Sequence, residues 1–431
     1  MKNEKITAFA LATSDKGYQN QLLGAISALG KRLKDRRDIN KQFLLPKGGK
    51  NISEIKENMF PSKYKSYKAF RDDLFEILDD YFMNISVVPR IFVTVYNQTA
   101  SNRAAQNVDD TCRAIKEYYK KHNLGYIFTT VLTSKYFKYK YVDLINIPKH
   151  LLTFSSRIKL LNNKTLRKKA LITIGTINSF SKQNVMKKYD ELLNTLQTLK
   201  KDKELNNIVK KLDAYIKAQK HIVLSLGGRV EGPEIRFDIN YAKKLFMDAE
   251  KLTKIGYKIV FVNSTRTPND VTDFIYENSL NNKDIVFCNS KNIASSDLER
   301  ESKFWRIYSG KYEKDFIEMK RLGNIYPGIL GADNTIVVQT FDSYAGCETT
   351  SSGITTAISS KGLFIDEEIR SDCHNLVHLL CPKYAIDWDN FVDLAINMKI
   401  EPKSLKPNIL SSSLETFAEA TICRLNDILK N

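Results

Sequence analysis

NIYPGILGADNTIVVQTFDS, residues 324–343, is the stretch that decides the fold, and ETTSSG follows it at residues 348–353. Ile336 to Gln339 is a short β-rich run between turn residues, which predicts a strand. Thr340, Asp342 and Ser343 follow it, and then comes a Ser/Thr/Gly-rich segment that can begin a helix. Backbone N–H groups at such a helix start bind phosphate oxygens, and small hydroxyl side chains suit sugar hydroxyls. The stretch therefore predicts a nucleotide-diphosphate site at the end of a strand.

The bulk composition indicates a folded, multidomain protein. The chain has 431 residues, of which 42% are hydrophobic and 10% aromatic, and this is enough for two or three well-filled cores. It contains no run of about eighteen or more apolar residues, and its first residues lead into a strand-like segment without the apolar region of a signal peptide. We therefore expect a cytoplasmic protein.

The cysteines indicate reduced thiols rather than a disulfide framework or a zinc ribbon. All 6 are scattered along the chain without C-x-x-C pairs. Four potential metal ligands do lie close together: Cys373, His374, His378 and Cys381. We favour helix packing over a metal site there, because no second cluster of ligands accompanies them. The segment Asp387-Trp-Asp389 resembles a metal-binding Asp-x-Asp, but it fits the start of a helix better.

The formal charge of +18 raises encounter rates with phosphates, nucleic acid or acidic lipid surfaces. Much of the excess lies in the first half, for example between Lys159 and Lys169. Lys135 to Tyr141 alternates lysines with aromatics, which is typical of a nucleic-acid stacking surface or of a membrane-interface patch. A strand with one wet face is the simpler interpretation, because lysine is abundant throughout. Nucleic acid is the least favoured partner, since no recognition-helix, RNP or KH pattern is present.

Short apolar runs alternate with helical patterns, and this alternation predicts parallel α/β sheets. In the first half the predicted strands span residues 6–12, 91–96, 126–132, 142–147 and 170–174. In the second half they span residues 222–226, 258–262, 285–288, 336–339 and 362–365. Helical stripes lie between them, such as Ala242, Leu245, Ala249 and Leu252 with Gly256 as a stop. The fold class is therefore α/β, with two doubly wound Rossmann-like domains facing across a cleft.

The Lys-rich helical stretch from Asp202 to Lys220 joins the two series of strands. We therefore expect an N-terminal domain over residues 1–215 and a C-terminal domain over residues 216–410. The remaining residues, 411–431, contain a capping-box pattern from Ser412 to Glu415 and then an apolar stripe that includes Phe417 and Leu425. They predict a final helix that packs back on the N-terminal domain.

Two loops of the second half follow predicted strands, where open α/β sheets bind ligands. The first is SLGGRVEGPEIRF, residues 225–237, in which Gly227 and Gly228 let backbone amides approach an anion and Arg229 offers a phosphate-binding fork. It matches neither a P-loop nor a dinucleotide fingerprint. The second is NSTRTP, residues 263–268, in which Thr267 and Pro268 read as a helix cap and first helical residue. This leaves a ligand role open for Ser264, Thr265 and Arg266.

Residues 324–353 supply the remaining candidate ligand-binding residues. Asp342 and Ser343 could hold the loop after Thr340, and Glu348 could accept hydrogen bonds from a ribose diol. Donors to a ligand would come from the following segment: Thr349, Thr350 and Gly353. A capped helix without a ligand is the alternative interpretation.

Several of these motifs, in this order, resemble the ELM-type mitochondrial fission factor family. Segments similar to the family's motifs are the loop from Thr13 to Gly24, Gly227-Gly228 with Arg236-Phe237, Asn263 to Pro268, and Asn324 to Gly353. The chain departs from the family in three places: Ile354-Thr355 replaces a Lys-Pro pair, Asn97 to Thr99 replaces a Gly-Arg-Arg turn, and the register of Glu348 requires a one-residue deletion. The resemblance implies a GT-B glycosyltransferase-like architecture. The resemblance leaves two functions open, a glycosyltransferase and an adaptor, because plant members of the family are described as adaptors that recruit a division GTPase.

Our leading hypothesis is a metal-independent glycosyltransferase that needs no cofactor besides its nucleotide-diphosphate sugar donor. The donor would bind the C-terminal domain, with Arg229 and Arg266 stabilising the leaving diphosphate. An unknown acceptor, which could be membrane-linked, would bind the N-terminal domain. Asp15 is the candidate general base, and His150 is the alternative.

The competing hypothesis is a non-catalytic adaptor with a glycosyltransferase-like shell. Its basic surface would bind a partner protein or an anionic membrane, so that the cytoplasmic protein would be peripheral at a membrane surface.

Overall fold

The computed structural model describes most of two α/β units. The described residues are 6–11, 21–22, 24–26, 28–29, 32, 41–43, 64–83, 91–97, 102–132, 139–148, 152, 154–173, 177, 180–200, 208–227, 238–264, 267–289, 325–332, 335–340, 349, 352, 354–359, 385–397 and 408–430. The first unit comprises Met1–Ser179 and Ile409–Asn431, and the second comprises Phe180–Asn408.

The elements of the first unit are β1 Ile6–Leu11, β2 Lys41–Phe43, α1 Tyr67–Met83, β3 Ile91–Asn97, α2 Asn102–Lys121, β4 Tyr126–Leu132, β5 Leu144–Pro148, α3 Phe154–Asn162, α4 Lys164–Lys169 and β6 Ala170–Thr173. Those of the second unit are α5 Lys182–Leu199, α6 Ile208–Lys217, β7 His221–Ser225, α7 Ile239–Thr253, β8 Lys258–Val262, α8 Asn269–Leu280, β9 Ile285–Cys288, α9 Tyr326–Ile329, β10 Thr335–Thr340, β11 Thr355–Ser359, β12 Ala385–Asp387 and α10 Trp388–Ile396. The last helix is α11, Asn408–Lys430.

The sheet of the first unit has the strand order β2-β1-β3-β4-β5-β6, and all of its described pairings are parallel. Its two faces belong to different cores. Phe128 and Leu132 of β4 pack with Leu22, Ile26 and Leu29 of the helix after β1. Their neighbour Val131 points to the opposite face, where it packs among side chains of α2, α3 and α4. Burial on both faces explains why apolar residues occupy consecutive positions at both ends of β4, YIFTTVL, around the buried Thr129 and Thr130.

The sheet of the second unit has the order β12-β11-β10-β7-β8-β9, again with parallel pairings. Counted from β7, this is the 3-2-1-4-5-6 order of a doubly wound nucleotide-binding sheet. Alternate residues of β7 and β8 face opposite cores. Leu224 and Phe261 pack with α7, α8 and α10, whereas Val223 and Val260 pack with α5, α6 and α9. The prediction of an α/β fold with parallel sheets is confirmed.

The second unit begins at Phe180, upstream of the boundary expected at residue 216. The reason is packing, because α5 and α6 bury Leu192, Leu196 and Leu212 against the sheet of the second unit. These helices therefore belong to the second core rather than to the first domain.

The last helix packs in the first unit. Phe417, Ala418 and Leu425 of α11 are buried among side chains of β3, β4 and the helix after β1. The Arg424 guanidinium adds hydrogen bonds to the backbone oxygens of Lys169 and Ala170 at 2.8 and 3.2 Å. α11 begins at Asn408, so the predicted capping box at residues 412–415 is wrong: those residues lie inside the helix.

Helix packing explains two glycines of residues 324–343, Gly328 and Gly331. A Cβ at Gly331 would lie 2.5 Å from Tyr189 Cβ, and one at Gly328 would lie 2.9 Å from the Lys188 carbonyl oxygen. Real side chains do not approach so closely, so α9 can reach α5 only with glycine at these positions. These two glycines therefore allow α9, the helix that precedes β10, to pack against α5.

We predict that Gly331→Ala lowers stability by about 1–3 kcal/mol, the usual cost of overpacking. Thermal unfolding followed by circular dichroism should show a melting temperature several degrees lower. Tyr189→Gly removes the Cβ that would lie 2.5 Å away, so Gly331→Ala should cost less in that background. Equal melting temperatures for wild type and Gly331→Ala would show that the α9–α5 contact is looser than described.

Candidate functional site at the carboxyl edge of the second sheet

The strands of the second sheet end in one row. Gln339, Ser225, Val262 and Cys288 are register partners across β10, β7, β8 and β9. The residues just beyond this row lead into the predicted ligand loops. They are Thr340 after Gln339, Leu226 and Gly227 after Ser225, Asn263 and Ser264 after Val262, and Asn289 after Cys288. Three of the loops predicted from the sequence therefore leave the same edge of one sheet.

The Thr267 hydroxyl ties the loop after β8 to the loop after β7. It donates to the Gly227 carbonyl oxygen at 2.7 Å and accepts from the Ser264 backbone N–H at 2.9 Å. Thr267 is 2% exposed, so these backbone groups have no ready access to water. The prediction that Thr267 caps the helix is wrong: α8 begins at Asn269, and Pro268 occupies the cap position. Thr267 instead holds two loops together.

A buried asparagine pair links the ends of β8 and β9. The Asn263 side-chain amide donates to Asn289 Oδ1 at 2.7 Å and lies 3.4 Å from the Thr272 hydroxyl on α8. Asn263 and Asn289 are 3% and 5% exposed. Buried polar groups of this kind are hydrogen-bonded because an unmade bond costs more than a made one gains. The sequence signal for this pair is an asparagine directly after each strand, which we did not assign to a role.

The two helices that follow these loops differ at their first turns. Asp238 caps α7, since its carboxylate accepts from the backbone N–H groups of Asn240 and Tyr241 at 2.9 and 3.1 Å. The positive end of α7 thus already holds an anion. No side chain caps α8, where Pro268 occupies the cap position, but Asp270 lies in the first turn of α8. Each helix therefore begins with a carboxylate near its positive end, so the caps alone do not favour a phosphate at one helix over the other.

The Ser/Thr-rich segment after β10 is partly internal. Thr349 is fully buried, and its hydroxyl lies 2.7 Å from that of Thr356 on β11. The Thr349 carbonyl oxygen accepts from Ser352 and Ile354 N–H groups at 3.1 and 3.0 Å, which closes a tight turn. The Thr349 side chain therefore fastens this turn to β11 and does not offer its hydroxyl to a ligand in solution.

Among the predicted binding residues, the structure describes Gly227, Ser264, Thr340 and Thr349, and it places all four in the second unit. Gly227 and Ser264 meet through Thr267. The others lie outside the described residues: Gly228, Arg229, Thr265, Arg266, Asp342, Ser343, Glu348, Thr350 and Gly353. So do the candidate bases Asp15 and His150, and the cluster from Cys373 to Cys381.

A second pair of buried polar groups lies in the first unit. The Asn146 amide of β5 donates to the Thr173 hydroxyl of β6 at 2.9 Å, and both side chains are at most 3% exposed. β5 ends at Pro148, two positions before His150. The pair resembles Asn263 and Asn289 in joining neighbouring strands near their carboxyl ends.

The Lys/aromatic segment is not a strand where the structure describes it. Tyr139 is buried, and the backbone N–H groups of Lys140 and Tyr141 donate to the Asp109 carboxylate at 2.9 and 2.7 Å. Lys169 Nζ donates to the Lys140 carbonyl oxygen at 2.9 Å. These bonds hold residues 139–141 as a loop, and burial of Tyr139 removes that ring from a stacking surface.

The described cysteines are free thiols at Cys112, Cys288 and Cys423. Cys288 ends β9 beside the site, but burial raises its pKa far above the ordinary value. A buried neutral thiol is a poor nucleophile, so Cys288 packs rather than reacts. Within the described residues no group of three or more His, Cys, Asp or Glu side chains is arranged to hold a metal ion. None of the described helices is long and apolar enough to cross a bilayer.

No protein-family model matches this sequence and no curated protein matches it, so the resemblance to the mitochondrial fission factor family gains no support from these comparisons. Solved structures that match include the UDP-GlcNAc 2-epimerase from Methanocaldococcus jannaschii, at 11% identity and TM-score 0.48 over 99% of each chain. The Neisseria meningitidis UDP-GlcNAc 2-epimerase bound to UDP-GlcNAc matches at 11% identity and TM-score 0.41, over 99% of this chain and 100% of the other. An α,α-trehalose 6-phosphate synthase from Burkholderia multivorans matches at 8% identity and TM-score 0.39, over 100% and 99%. Similarity at this level carries no conclusion about this chain.

We predict that Thr267→Val destabilises the second unit by about 1–3 kcal/mol, because the Gly227 carbonyl and the Ser264 N–H lose their buried partner. Thr267→Ser keeps the hydroxyl and serves as the matched control. Thermal unfolding should separate the two variants by several degrees. A valine variant as stable as the serine variant would mean that the hydroxyl does not join the two loops.

Proposed function

We propose that this protein binds a nucleotide-diphosphate sugar at the carboxyl edge of its second sheet and transfers the sugar to an acceptor. The observation that supports this most is the strand order. From β7 the chain builds outward through β8 and β9, then crosses back to place β10 on the other side of β7. Such a reversal opens a crevice between the two loops involved, and doubly wound sheets bind nucleotides there. The loops in question begin at Gly227 and Thr340.

We assign the proposed contacts to the donor from the chemistry of each side chain. Arg266 lies in the loop between Ser264 and Thr267, close in sequence to the start of α8. A guanidinium together with the first-turn amides would stabilise the charge of the leaving diphosphate. Arg229, in the glycine-rich turn, would supply a second cation, and Glu348 would accept hydrogen bonds from the ribose. With this charge supplied by the protein, we propose that no metal ion and no further cofactor is needed.

The acceptor is assigned to the first unit. We propose Asp15, in the loop after β1, as the general base that takes the proton of the acceptor hydroxyl, with His150 after β5 as the alternative. The high positive charge of the chain favours an anionic acceptor, and a lipid-linked phosphate would combine that charge with a membrane surface.

The competing proposal is an adaptor that keeps the two sheets but does not transfer sugar. The basic composition supports it, because a positive surface binds an acidic protein or membrane without any catalytic site. The two proposals differ in nucleotide affinity.

We predict that isothermal titration calorimetry detects micromolar binding of a uridine, guanosine or cytidine diphosphate sugar. Arg266→Ala and Glu348→Ala should each weaken binding roughly 10- to 100-fold, the cost of losing a charge-assisted hydrogen bond. Binding should persist in excess chelator.

The matched controls are Lys243→Ala and Glu250→Ala, which change one cation and one carboxylate on the exposed side of α7. Their affinities should equal that of the wild type. Absence of binding for all three nucleotide classes, together with binding to vesicles, would support the adaptor instead.

A further inference from the structure

α3 carries an apolar pair on its solvent-facing side. Ile158 and Leu161 are 42% and 67% exposed, whereas Leu160 is buried in the core beneath the helix. Residues three apart are neighbours on a helix surface, so Ile158 and Leu161 form one exposed apolar spot opposite Leu160. Arg157 and Lys159 are exposed on either side of it. Apolar residues at the centre of a solvent face with cations at its margins are typical of helices that lie in a membrane interface.

The edge strand β6 adds a third apolar side chain next to this helix layer. Ile172 is 50% exposed, and its register partner Ile147 belongs to the core that includes Leu160 and Leu166. Because register partners point to the same face, Ile172 lies on the side of the sheet that α3 and α4 cover. Among the described strands β6 pairs only with β5. An exposed isoleucine on such an edge is unusual, since sheet edges are normally protected by charge.

α4 places further cations beside the apolar spot and holds them in a fixed geometry. Asn163 caps α4 by accepting from the Leu166 N–H at 2.9 Å, and Arg167 lies 3.4 Å from the Leu161 carbonyl oxygen. Lys164, Arg167 and Lys168 are exposed. The surface is therefore preformed by two short helices packed on a buried core.

The whole segment carries one sign of charge. Residues 157–172 contain no Asp or Glu and include these cations: Arg157, Lys159, Lys164, Arg167, Lys168 and Lys169. Among the described residues, no carboxylate forms an ion pair with Arg157, Lys159, Lys164 or Lys168. These cations remain available for external anions.

We propose that α3, α4 and the edge of β6 form a surface that docks on an anionic lipid bilayer. We name it the basic–apolar patch, defined by Ile158, Leu161, Ile172 and the exposed cations of residues 157–168. Ile158 and Leu161 enter the boundary between headgroups and acyl chains, while the cations contact lipid phosphates. Binding does not require a spanning helix.

The apolar pair selects a bilayer over a nucleic acid. Single-stranded nucleic acids stack on aromatic rings, and residues 157–172 contain no Phe, Tyr or Trp. Aliphatic side chains gain nothing from a phosphate backbone, but they gain free energy on entering acyl chains. Cations alone fit both partners, so Ile158 and Leu161 decide between them.

The patch adds a membrane surface to the proposed function, and it rests on that proposal only for the identity of the acceptor. α3 begins at Phe154, shortly after the candidate base His150 along the chain. A bilayer under α3 would bring lipid-linked substrates to the unit that we assign to the acceptor. Membrane docking itself holds or fails independently of nucleotide binding.

The test is co-sedimentation of the full chain with vesicles of phosphatidylcholine containing about one third phosphatidylglycerol. Wild type should bind these vesicles, and it should bind pure phosphatidylcholine vesicles much more weakly. Ile158→Ser with Leu161→Ser should weaken binding at least about tenfold, because the inserted aliphatic groups are lost. Arg167→Gln with Lys168→Gln should weaken it about 25-fold, since each surface cation contributes roughly fivefold.

The matched controls lie in the second unit. Met247→Ser removes a side chain that is 58% exposed, and Lys243→Gln with Lys254→Gln removes two exposed cations. Both should bind vesicles like the wild type. All patch variants should keep the wild-type melting temperature and nucleotide-sugar affinity, so that lost docking is distinguished from a failure of the donor site.

Three results would overturn the proposal whatever the calorimetry shows. One is wild-type protein that remains in the supernatant with anionic vesicles. Another is serine variants of Ile158 and Leu161 that bind as tightly as wild type, because attraction would then be electrostatic only. Preference for a single-stranded oligonucleotide over anionic vesicles at the same salt concentration would likewise reject a bilayer as the partner.

Discussion

The parallel pairing of β10 with β7 is the contact on which the rest of the second unit depends. Val337 faces Val223 in this register, and β7 pairs with β8 on its other side. A central strand flanked on both sides must bury both of its faces, which is why Val223 and Leu224 lie in separate cores at 0% and 1% exposure. The same pairing places the carboxyl ends of β7 and β10 side by side. The β7–β10 pairing therefore determines both how the two cores of the second unit form and where the candidate ligand loops begin.

Buried side-chain hydrogen bonds hold the described ends of β7, β8 and β9 together at this edge. Thr267 joins the loops after β7 and β8, and Asn263 with Asn289 joins the ends of β8 and β9. Each contact satisfies groups that would otherwise be buried without a partner.

The strands that could be predicted are those buried on both faces. β8 and β9 coincide with the predicted runs, since nearly continuous apolar sequence marks such strands, and β4 coincides although Thr129 and Thr130 interrupt its apolar run. β11, TTAIS, escaped prediction because hydroxyl residues occupy buried positions: Thr356 is 1% exposed and binds the Thr349 hydroxyl. β2 and β12 have three residues each, too few for a periodic signal. The predicted strand at 362–365 lies outside the described residues.

The candidate site divides in the same way. Its position at the strand ends could be predicted, because turn residues follow each apolar run. The roles of Thr267 and Thr349 could not, since a threonine before a helix reads as a cap until its burial and partners are known. Basic charge was visible in composition, but the basic–apolar patch needed the exposure of Ile158, Leu161 and Ile172.

Hydrogen–deuterium exchange with and without uridine, guanosine or cytidine diphosphate tests the nucleotide site most directly, because it locates binding along the chain. We expect slower exchange in three segments that leave the same edge of the second sheet: residues 226–237, 263–271 and 340–353. Exchange unchanged by every nucleotide, or protection confined to the first unit, would contradict a nucleotide site at the β7–β10 crossing.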